Sequence, residues 1–449
     1  MQKIVSRFIL YSDFGKDAII TRVADICKDA KRLKEFETSA NEEDSIDVTK
    51  EDLLTRTYRE VKRILELGTS YAFDKNLWQN YLTYEIITNE NPFSLTCEKV
   101  GASDGSVNFY AKQDFEAFME LFHYDFTWLE EYLDTDVFSR LTTYKSIEKP
   151  ELMYNKNVSE KVRALSEKLA NAKSYDEFFD LVTGFYKDYG VGMFGLNKAF
   201  RLKCYAEDKV EFKPINNMDK VVLSDLVGYE IQKKKLVDNT KAFVEGKKAN
   251  NVLLFGDSGT GKSTSIKAIV NEFYDDGLRM IEIYKHQFKY LSTVISKIKN
   301  RNYKFIIYMD DLSFEEFEIE YKFLKAVIEG GVESRPANIL IYATSNRRHL
   351  IKENWSDRDD VVSNNGMHKS DTMEEKLSLA YRFGVRISYS KPTPKEFYNI
   401  VFELAKKNNI NMDEEEIRKE ANKWELSHGG ISGRCATQFI DYLLGTIDE

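Results

Sequence analysis

The sequence predicts an α/β protein. A doubly wound, five-stranded parallel sheet follows a mostly α-helical N-terminal domain and precedes a small C-terminal helical lid. Three observations lead there. From Val221 onward, short β-branched and apolar runs alternate with amphipathic helical patterns, as in strands covered on both faces by crossover helices. Before that point the apolar residues recur mostly at helical spacing. After Pro392 and Pro394 the strand signals stop and three helical patterns remain. A chain of 449 residues is long enough for about three domains. The expected division is a helical domain over 1–205, a connection over 206–220, the sheet domain over 221–391 and the lid over 392–449.

In the N-terminal part, Thr49 and Asp52 open a helix that carries Leu54, Tyr58, Val61 and Leu65, and Gly68 is its natural stop. Phe115, Phe118, Phe122, Phe126 and Leu129 form a second stripe, and Val158, Val162, Leu165 and Leu169 a third. Ser174 and Glu177 begin a fourth helix with Phe178, Val182 and Phe185. The phenylalanine stripe reads as core, not as a cofactor box, and the neighbouring His123 has no ligand partner at fixed spacing. Gly190, Gly192 and Gly195 match G-x-G-x-x-G, but they trail a helix instead of leaving a strand. A dinucleotide fingerprint needs the strand, so 190–200 reads as a joint.

In the sheet domain the expected strands are Val252–Phe255, Arg279–Tyr284, Phe305–Met309, Ile339–Ala343 and Val385–Ser390. The lid helices are expected near Lys395–Lys406, Asp413–Leu426 and Ser432–Leu444.

The strongest chemical signal is Gly256-Asp257-Ser258-Gly259-Thr260-Gly261-Lys262-Ser263, with Thr264 next. It leaves the first of these strands and opens a helix, the setting in which G-x-x-x-x-G-K-[ST] cradles phosphates. Glycines let consecutive N–H groups face the anion, and the helix N-terminus adds its positive dipole end. Lys262 is placed to neutralise the β- and γ-phosphates of ATP, and Ser263 to offer its hydroxyl to Mg2+. Asp310, at the end of the strand Phe305–Met309, is the second magnesium ligand, held directly or through water. The ordinary alternative for such an acid is a helix cap or a solvated turn. Asp311 stands where a water-orienting acid is needed, with Glu315 and Glu316 as fallback bases. Its side chain is a methylene shorter than glutamate, which bears on the rate of hydrolysis. Asn346, after the strand Ile339–Ala343, suits a sensor of the γ-phosphate or the attacking water, although Asn and Ser also favour turns for their own reasons.

With these motifs in place, the stretch from about Val221 to Leu444 resembles an AAA+ ATPase. Leu226-Val227-Gly228-Tyr229 is similar to the family's adenine-pocket element, Asn346 to its first sensor, and Gly433-Arg434 to its second sensor. Tyr381-Arg382-Phe383-Gly384 is similar to the segment that carries an arginine finger. A closer resemblance is to a bacterial group, the domain-of-unknown-function family 815. Its characteristic stretches appear as Asp310-Asp311-Leu312-Ser313-Phe314, Ala343-Thr344-Ser345-Asn346-Arg347-Arg348-His349-Leu350 and Glu375-Lys376-Leu377-Ser378-Leu379. The resemblance implies that paired aspartates are usual here. It further implies that Val227 and Gly228 meet the base and that Arg434 reaches the γ-phosphate. Arg382 would complete a neighbour's site in a homo-oligomer. Tyr381 departs from the pattern, standing where an acid is expected.

The function expected is magnesium-dependent ATP binding and hydrolysis coupled to the remodelling of an oligomer or partner, with the N-terminal domain choosing a protein partner. Two alternatives stay open: a nucleotide-gated scaffold with little turnover, and a helicase-loader-like protein acting with nucleic acid. Lys233, Lys234 and Lys235 with Lys247 and Lys248, and Arg347, Arg348 and His349, are basic clusters that nucleic acid could use. A net charge of -9 and the lack of a recognised reading motif weigh against that partner. A small-molecule kinase is disfavoured by the helical lid, and a GTPase by the lack of an Asn-Lys-x-Asp motif after the phosphate loop. With 42% apolar and 31% charged residues, large cores form and a disordered chain is excluded. Cys27, Cys97, Cys204 and Cys435 make no metal or disulfide spacing. Met1 to Lys16 lacks the apolar core of a secretory signal, and no run is long enough to span a bilayer. A cytoplasmic protein without membrane contact is expected.

Overall fold

The computed structural model describes residues 1–38, 47–150, 153–205, 209–216, 218–314, 318, 320–329, 336–347, 350 and 379–446. They divide into two compact units, Met1–Asn197 and Lys198–Glu449. Glu315, Glu316, Arg348, His349 and the stretch 375–378 lie outside the described residues. Among the described residues no helix is long and apolar enough to cross a membrane.

The first unit is helical. Its elements are α1 (Gln2–Val5), α2 (Ile19–Thr38), α3 (Lys50–Tyr71), α4 (Leu77–Thr88), α5 (Pro92–Val100), α6 (Val107–Phe122), α7 (Thr127–Leu133), α8 (Val137–Thr142), α9 (Lys156–Ala170), α10 (Tyr175–Tyr189) and α11 (Gly192–Leu196). The Thr49 side chain caps α3 by accepting from the Asp52 N–H, as its sequence position predicts. The helix does not stop at Gly68, however. It runs on to Tyr71 and closes through Ala72 in the left-handed conformation. Gly68 is there for close packing, since a Cβ would meet both Leu77 methyl carbons at 3.1 Å. The buried face of α3 is also turned from the expected one: Leu53, Val61 and Ile64 are buried while Tyr58 is 47% exposed.

Phe115, Phe118, Phe122 and Phe126 are buried in a single core with Tyr11, Phe93, Phe178 and Tyr186. The stripe is therefore packing, divided between α6 and the turn into α7. His123 is exposed. Gly190 ends α10 with a positive φ, and Gly192 and Gly195 belong to α11.

The second unit is built on a seven-stranded sheet of order β2-β1-β4-β5-β6-β3-β7. The five expected strands are all present: β3 (Val252–Gly256), β4 (Leu278–Glu282), β5 (Lys304–Met309), β6 (Ile339–Ser345) and β7 (Val385–Tyr389). They pair in parallel throughout. Two more strands enlarge the sheet, β1 (Ala199–Cys204) and β2 (Val210–Pro214), an antiparallel hairpin joined in parallel to β4 through β1. The hairpin takes the last residues of the part expected to be helical, 1–205, together with the expected connection over 206–220. Its apolar residues Phe200, Leu202, Val210 and Phe212 are buried, while Arg201, Lys203 and Lys213 between them are exposed.

Helix α12 (Glu230–Val244) and α13 (Lys262–Glu272) pack Leu236, Phe243, Ile266 and Ile269 against one face of the sheet, beside Leu254, Ile306, Tyr308, Tyr342 and Tyr389. The alternate residues Leu253, Ile281, Ile307 and Ile341 are buried too, as in a sheet covered on both sides. Helices α14 (Leu291–Ile298) and α15 (Glu320–Glu329) follow β4 and β5 in the chain. The lid is a three-helix cluster of α16 (Pro394–Lys407), α17 (Glu414–Ser427) and α18 (Gly433–Thr446), close to the expected bounds. Thr393 and Glu396 form a capping box at the start of α16, which fixes where the lid departs from β7.

Candidate functional site

The loop after β3 turns sharply at Gly256, which has φ 128 and lies so close to β7 that any Cβ there would collide with the Tyr389 carbonyl. Asp257 is then held from both sides: its N–H donates to the Tyr389 carbonyl at 2.9 Å, and its Oδ2 accepts the Lys391 N–H at 2.8 Å. Gly261, with φ 87, opens α13, and its Cβ position is taken by Leu226 Cδ2 at 2.6 Å. The loop is thereby tied to β7 at one end and to the segment before α12 at the other.

Lys262 is buried, and its ammonium donates to the Gly256 carbonyl at 2.9 Å, the Asp257 carbonyl at 2.5 Å and Asn346 Oδ1 at 3.0 Å. Burial lowers its pKa. Asp257, Asp311 and Asp310 pull it back up, Arg434 pushes it down, and the net shift is downward.

Because α13 covers the sheet face that carries Tyr308, Ser263 at its start meets Asp310 at the end of β5. Ser263 Oγ donates to Asp310 Oδ1 at 2.7 Å. The same oxygen accepts the Tyr308 hydroxyl at 2.7 Å and the Thr344 hydroxyl at 2.6 Å. Burial alone would raise the Asp310 carboxyl. The hydrogen bonds from Thr344, Tyr308, Ser263 and the Asp311 N–H outweigh it and hold the group below its ordinary value. Asp311 follows with φ 48, its N–H donating to Thr344 Oγ1 at 2.9 Å. Its Oδ1 accepts from Asn346 Nδ2 at 2.8 Å. Asn346 thus bridges the loop lysine and the second aspartate.

These groups share a cleft of 550 Å³ that includes Ser258 to Thr264, Asp310, Asp311, Thr344 and Asn346 on the sheet side. Arg434 comes from α18, and the apolar end is formed by Leu226, Val227, Ile400 and Leu404. The Arg434 N–H donates to the Gly259 carbonyl at 3.1 Å, so the lid is anchored on the loop itself. Lys407 of the lid also pairs with Asp225 at the apolar end. Gly228 lies between two residues of the cleft wall, Val227 and Tyr229. Arg382 is not part of the wall; it stands before β7, at the opposite end of the sheet from the loop.

A model of the family described as "Protein of unknown function (DUF815)" matches residues 196–447, more than half of the chain. The chain belongs to this family. The match takes in the sheet and lid of the second unit and leaves the helical unit outside it. The DUF815 part is an α/β domain with a mostly parallel sheet, a glycine-rich loop between β3 and α13 and a three-helix lid. No curated protein matches the chain. Solved structures that are similar include the Thermotoga maritima RuvB Holliday junction branch migration motor, 15% identical over 50% of this chain and 72% of that one, with a TM-score of 0.31. A point mutant of the same protein is 14% identical over 51% of this chain and 76% of that one, with a TM-score of 0.32. At that distance the likeness decides nothing about activity.

The donors present suit a magnesium–nucleotide pair. Ser263 Oγ and the Asp310 carboxylate are hard oxygen donors of the kind magnesium takes, 2.7 Å apart. The cleft volume falls in the usual range for a small-molecule site. Sequence reasoning missed Tyr308 and Thr344 as parts of this cluster, along with the lid's Ile400 and Leu404. The signal for Tyr308 was its place two residues before Asp310, on the same face of a strand.

Proposed function

We propose that this chain binds ATP with magnesium in the cleft and hydrolyses it, and that the cycle changes how the lid or neighbouring copies pack. The observation that carries the reading is the convergence of Lys262, Ser263, Asp310, Asp311, Asn346 and Arg434 on one cleft. Backbone N–H groups of the loop bind the phosphates. Lys262 exchanges its two carbonyl partners for phosphate oxygens. Ser263 and Asp310 hold the metal ion, whose charge, when it is bound, offsets that developing on the transferred phosphoryl group. Asp311 orients water, and Asn346 holds Asp311 in place. Leu226 and Val227, facing Ile400 and Leu404, take the base. Arg434 senses the γ-phosphate from the lid, so loss of that phosphate frees the lid.

Arg382 fits this scheme only from a second copy. The five residues of β7 separate it from the cleft end of the sheet, a span of about 16 Å at the usual strand rise. We therefore assign it the arginine finger of a neighbour's site in a homo-oligomer. The helical first unit is the proposed seat of a protein partner, and the cytoplasm the proposed location. A second reading, a nucleotide-gated module with slow turnover, is favoured by one feature: the short Asp311 side chain is already engaged by Asn346.

The test is equilibrium binding of a fluorescent ATP analogue together with steady-state phosphate release. Wild type is expected to bind and turn over, and Lys262→Ala to lose nucleotide affinity by at least a hundredfold, since an ion pair near a protein surface is worth about 4 kcal/mol. Undiminished binding by Lys262→Ala would overturn the site. Tight binding with no phosphate release at any protein concentration would select the gated module.

A further inference from the structure

Asp310 Oδ1 accepts three hydroxyls at once: Ser263 at 2.7 Å, Tyr308 at 2.7 Å and Thr344 at 2.6 Å. A carboxylate oxygen has two lone pairs, so three donors more than saturate it. The three differ in what they can do. Ser263 sits in the first turn of α13 and is the residue read above as a metal ligand. Tyr308 and Thr344 are fixed in the sheet. Tyr308 is buried among core side chains on β5, and Thr344 is buried on β6. Thr344 also accepts the Asp311 N–H at 2.9 Å, so one hydroxyl restrains both aspartates.

We propose that Tyr308 and Thr344 are positioning residues for the metal: they lock Asp310 through Oδ1 so that Ser263 is released and Oδ2 is presented to magnesium. The inference rests on reading the cleft as a magnesium–nucleotide site. Partners that orient a ligating carboxylate set its rotamer before the ion arrives, and losing one typically weakens metal binding by about 10- to 100-fold. Neither residue belongs to the phosphate loop, and Tyr308 lies outside the cleft wall, so its hydroxyl reaches the site only through Asp310. The hydrophobic strand needs only an apolar ring at that position, and the hydroxyl adds nothing to the apolar packing around it.

The full-length chain is titrated with MgCl2 at a fixed concentration of a fluorescent ATP analogue, and nucleotide affinity is measured separately in excess EDTA. Tyr308→Phe and Thr344→Val are each expected to raise the magnesium concentration at half-saturation by about 10- to 100-fold. For Tyr308→Phe, whose side chain is not part of the cleft wall, affinity in EDTA should stay near wild type, and both variants should keep a single cooperative melting transition. Thr344→Ser keeps the hydroxyl and should behave as wild type. A wild type that responds to magnesium while both hydroxyl-less variants respond at the same concentration overturns the proposal. So does an equal loss of affinity in EDTA, which would assign the hydroxyls to the packing of the loop. If Tyr308→Phe does not fold, Thr344→Val alone decides. Failure of wild type to bind nucleotide under any condition would instead remove the ATP reading on which this rests.

Discussion

Replacing Gly256 by alanine tests whether the phosphate loop is held in place by its contact with β7. An ideal Cβ there would lie 2.0 Å from the Tyr389 carbonyl oxygen and 2.8 Å from its carbon, with the backbone at φ 128. These are rigid main-chain atoms of a paired strand, so the ends of β3 and β7 must separate by more than about 1 Å to reach ordinary contact. Three costs follow. Backbone strain at such a φ is about 1–3 kcal/mol. The overpacking adds roughly 1–3 kcal/mol. The hydrogen bond from the Asp257 N–H to Tyr389 is lost at about 1 kcal/mol. The sum is about 3–7 kcal/mol, a large part of an ordinary domain stability. Gly277→Ala is the control, because it has φ 86 but nothing within 4 Å of a Cβ. It carries only the left-handed penalty of about 1–2 kcal/mol. Urea midpoints of the full-length proteins should therefore rank wild type, Gly277→Ala and Gly256→Ala, with the last two separated by at least about 2 kcal/mol, the steric and hydrogen-bond terms together at their lower limits. Binding of the ATP analogue should fall in Gly256→Ala alone. Equal midpoints for the two variants would refute the steric argument, and unchanged nucleotide affinity in Gly256→Ala would separate loop position from binding.

Asp311→Asn keeps a side chain that tolerates the left-handed backbone and should bind ATP normally while phosphate release falls by about 100-fold or more; turnover equal to wild type would remove Asp311 from the chemistry. Arg382→Ala should bind ATP as wild type does yet hydrolyse it poorly, and mixing it with Lys262→Ala should restore part of the rate because each supplies what the other lacks; a mixture no faster than either variant would count against the shared site. In the helical unit, burial raises the Glu85 carboxyl to about 7, with Arg63 pulling it back. A carboxyl whose folded pKa exceeds its unfolded value of about 4.3 costs stability as the pH rises from there through 7. Glu85→Gln should therefore match wild type near pH 4 and be more stable at pH 8, by up to about 4 kcal/mol before relaxation; a constant difference across that range would show that Glu85 is not the titrating group.

The helices of the lid and the five central strands were legible because each is an uninterrupted pattern of one period, bounded by Pro392, Pro394 or a turn. The hairpin β1–β2 was not, although its signal is present. Phe200-Arg201-Leu202-Lys203 and Val210-Glu211-Phe212-Lys213 alternate strictly, the pattern of a strand with one buried face. Each run is only about as long as a single helical turn, and the glycines before them read as a hinge. In the first unit, α3 was placed but its face was misjudged. Leu53 and Leu54 are adjacent and equally apolar, and only packing decides which of them points inward; Leu53 is the buried one.

The site's principal residues were legible for a different reason: a phosphate loop and a strand-ending acid are local patterns with local causes. What no local pattern carries is register. Parallel pairing sets Met309 opposite Ala343 and Leu254 opposite Thr344. Asp310, one step beyond Met309, therefore comes level with Thr344, and period-two alternation keeps Tyr308 on the face of Asp310. A slip of one residue between β5 and β6 would turn Thr344 toward the other face and leave the Asp311 N–H without its hydroxyl acceptor. The buried residues of all three strands resist such a slip, because it would turn Ile306, Tyr308 and Tyr342 away from the core cluster into which they are packed. The hydrophobic core thus fixes which hydroxyl meets which carboxylate at the rim. Chemistry at the ends of the strands is specified by apolar side chains in their middles.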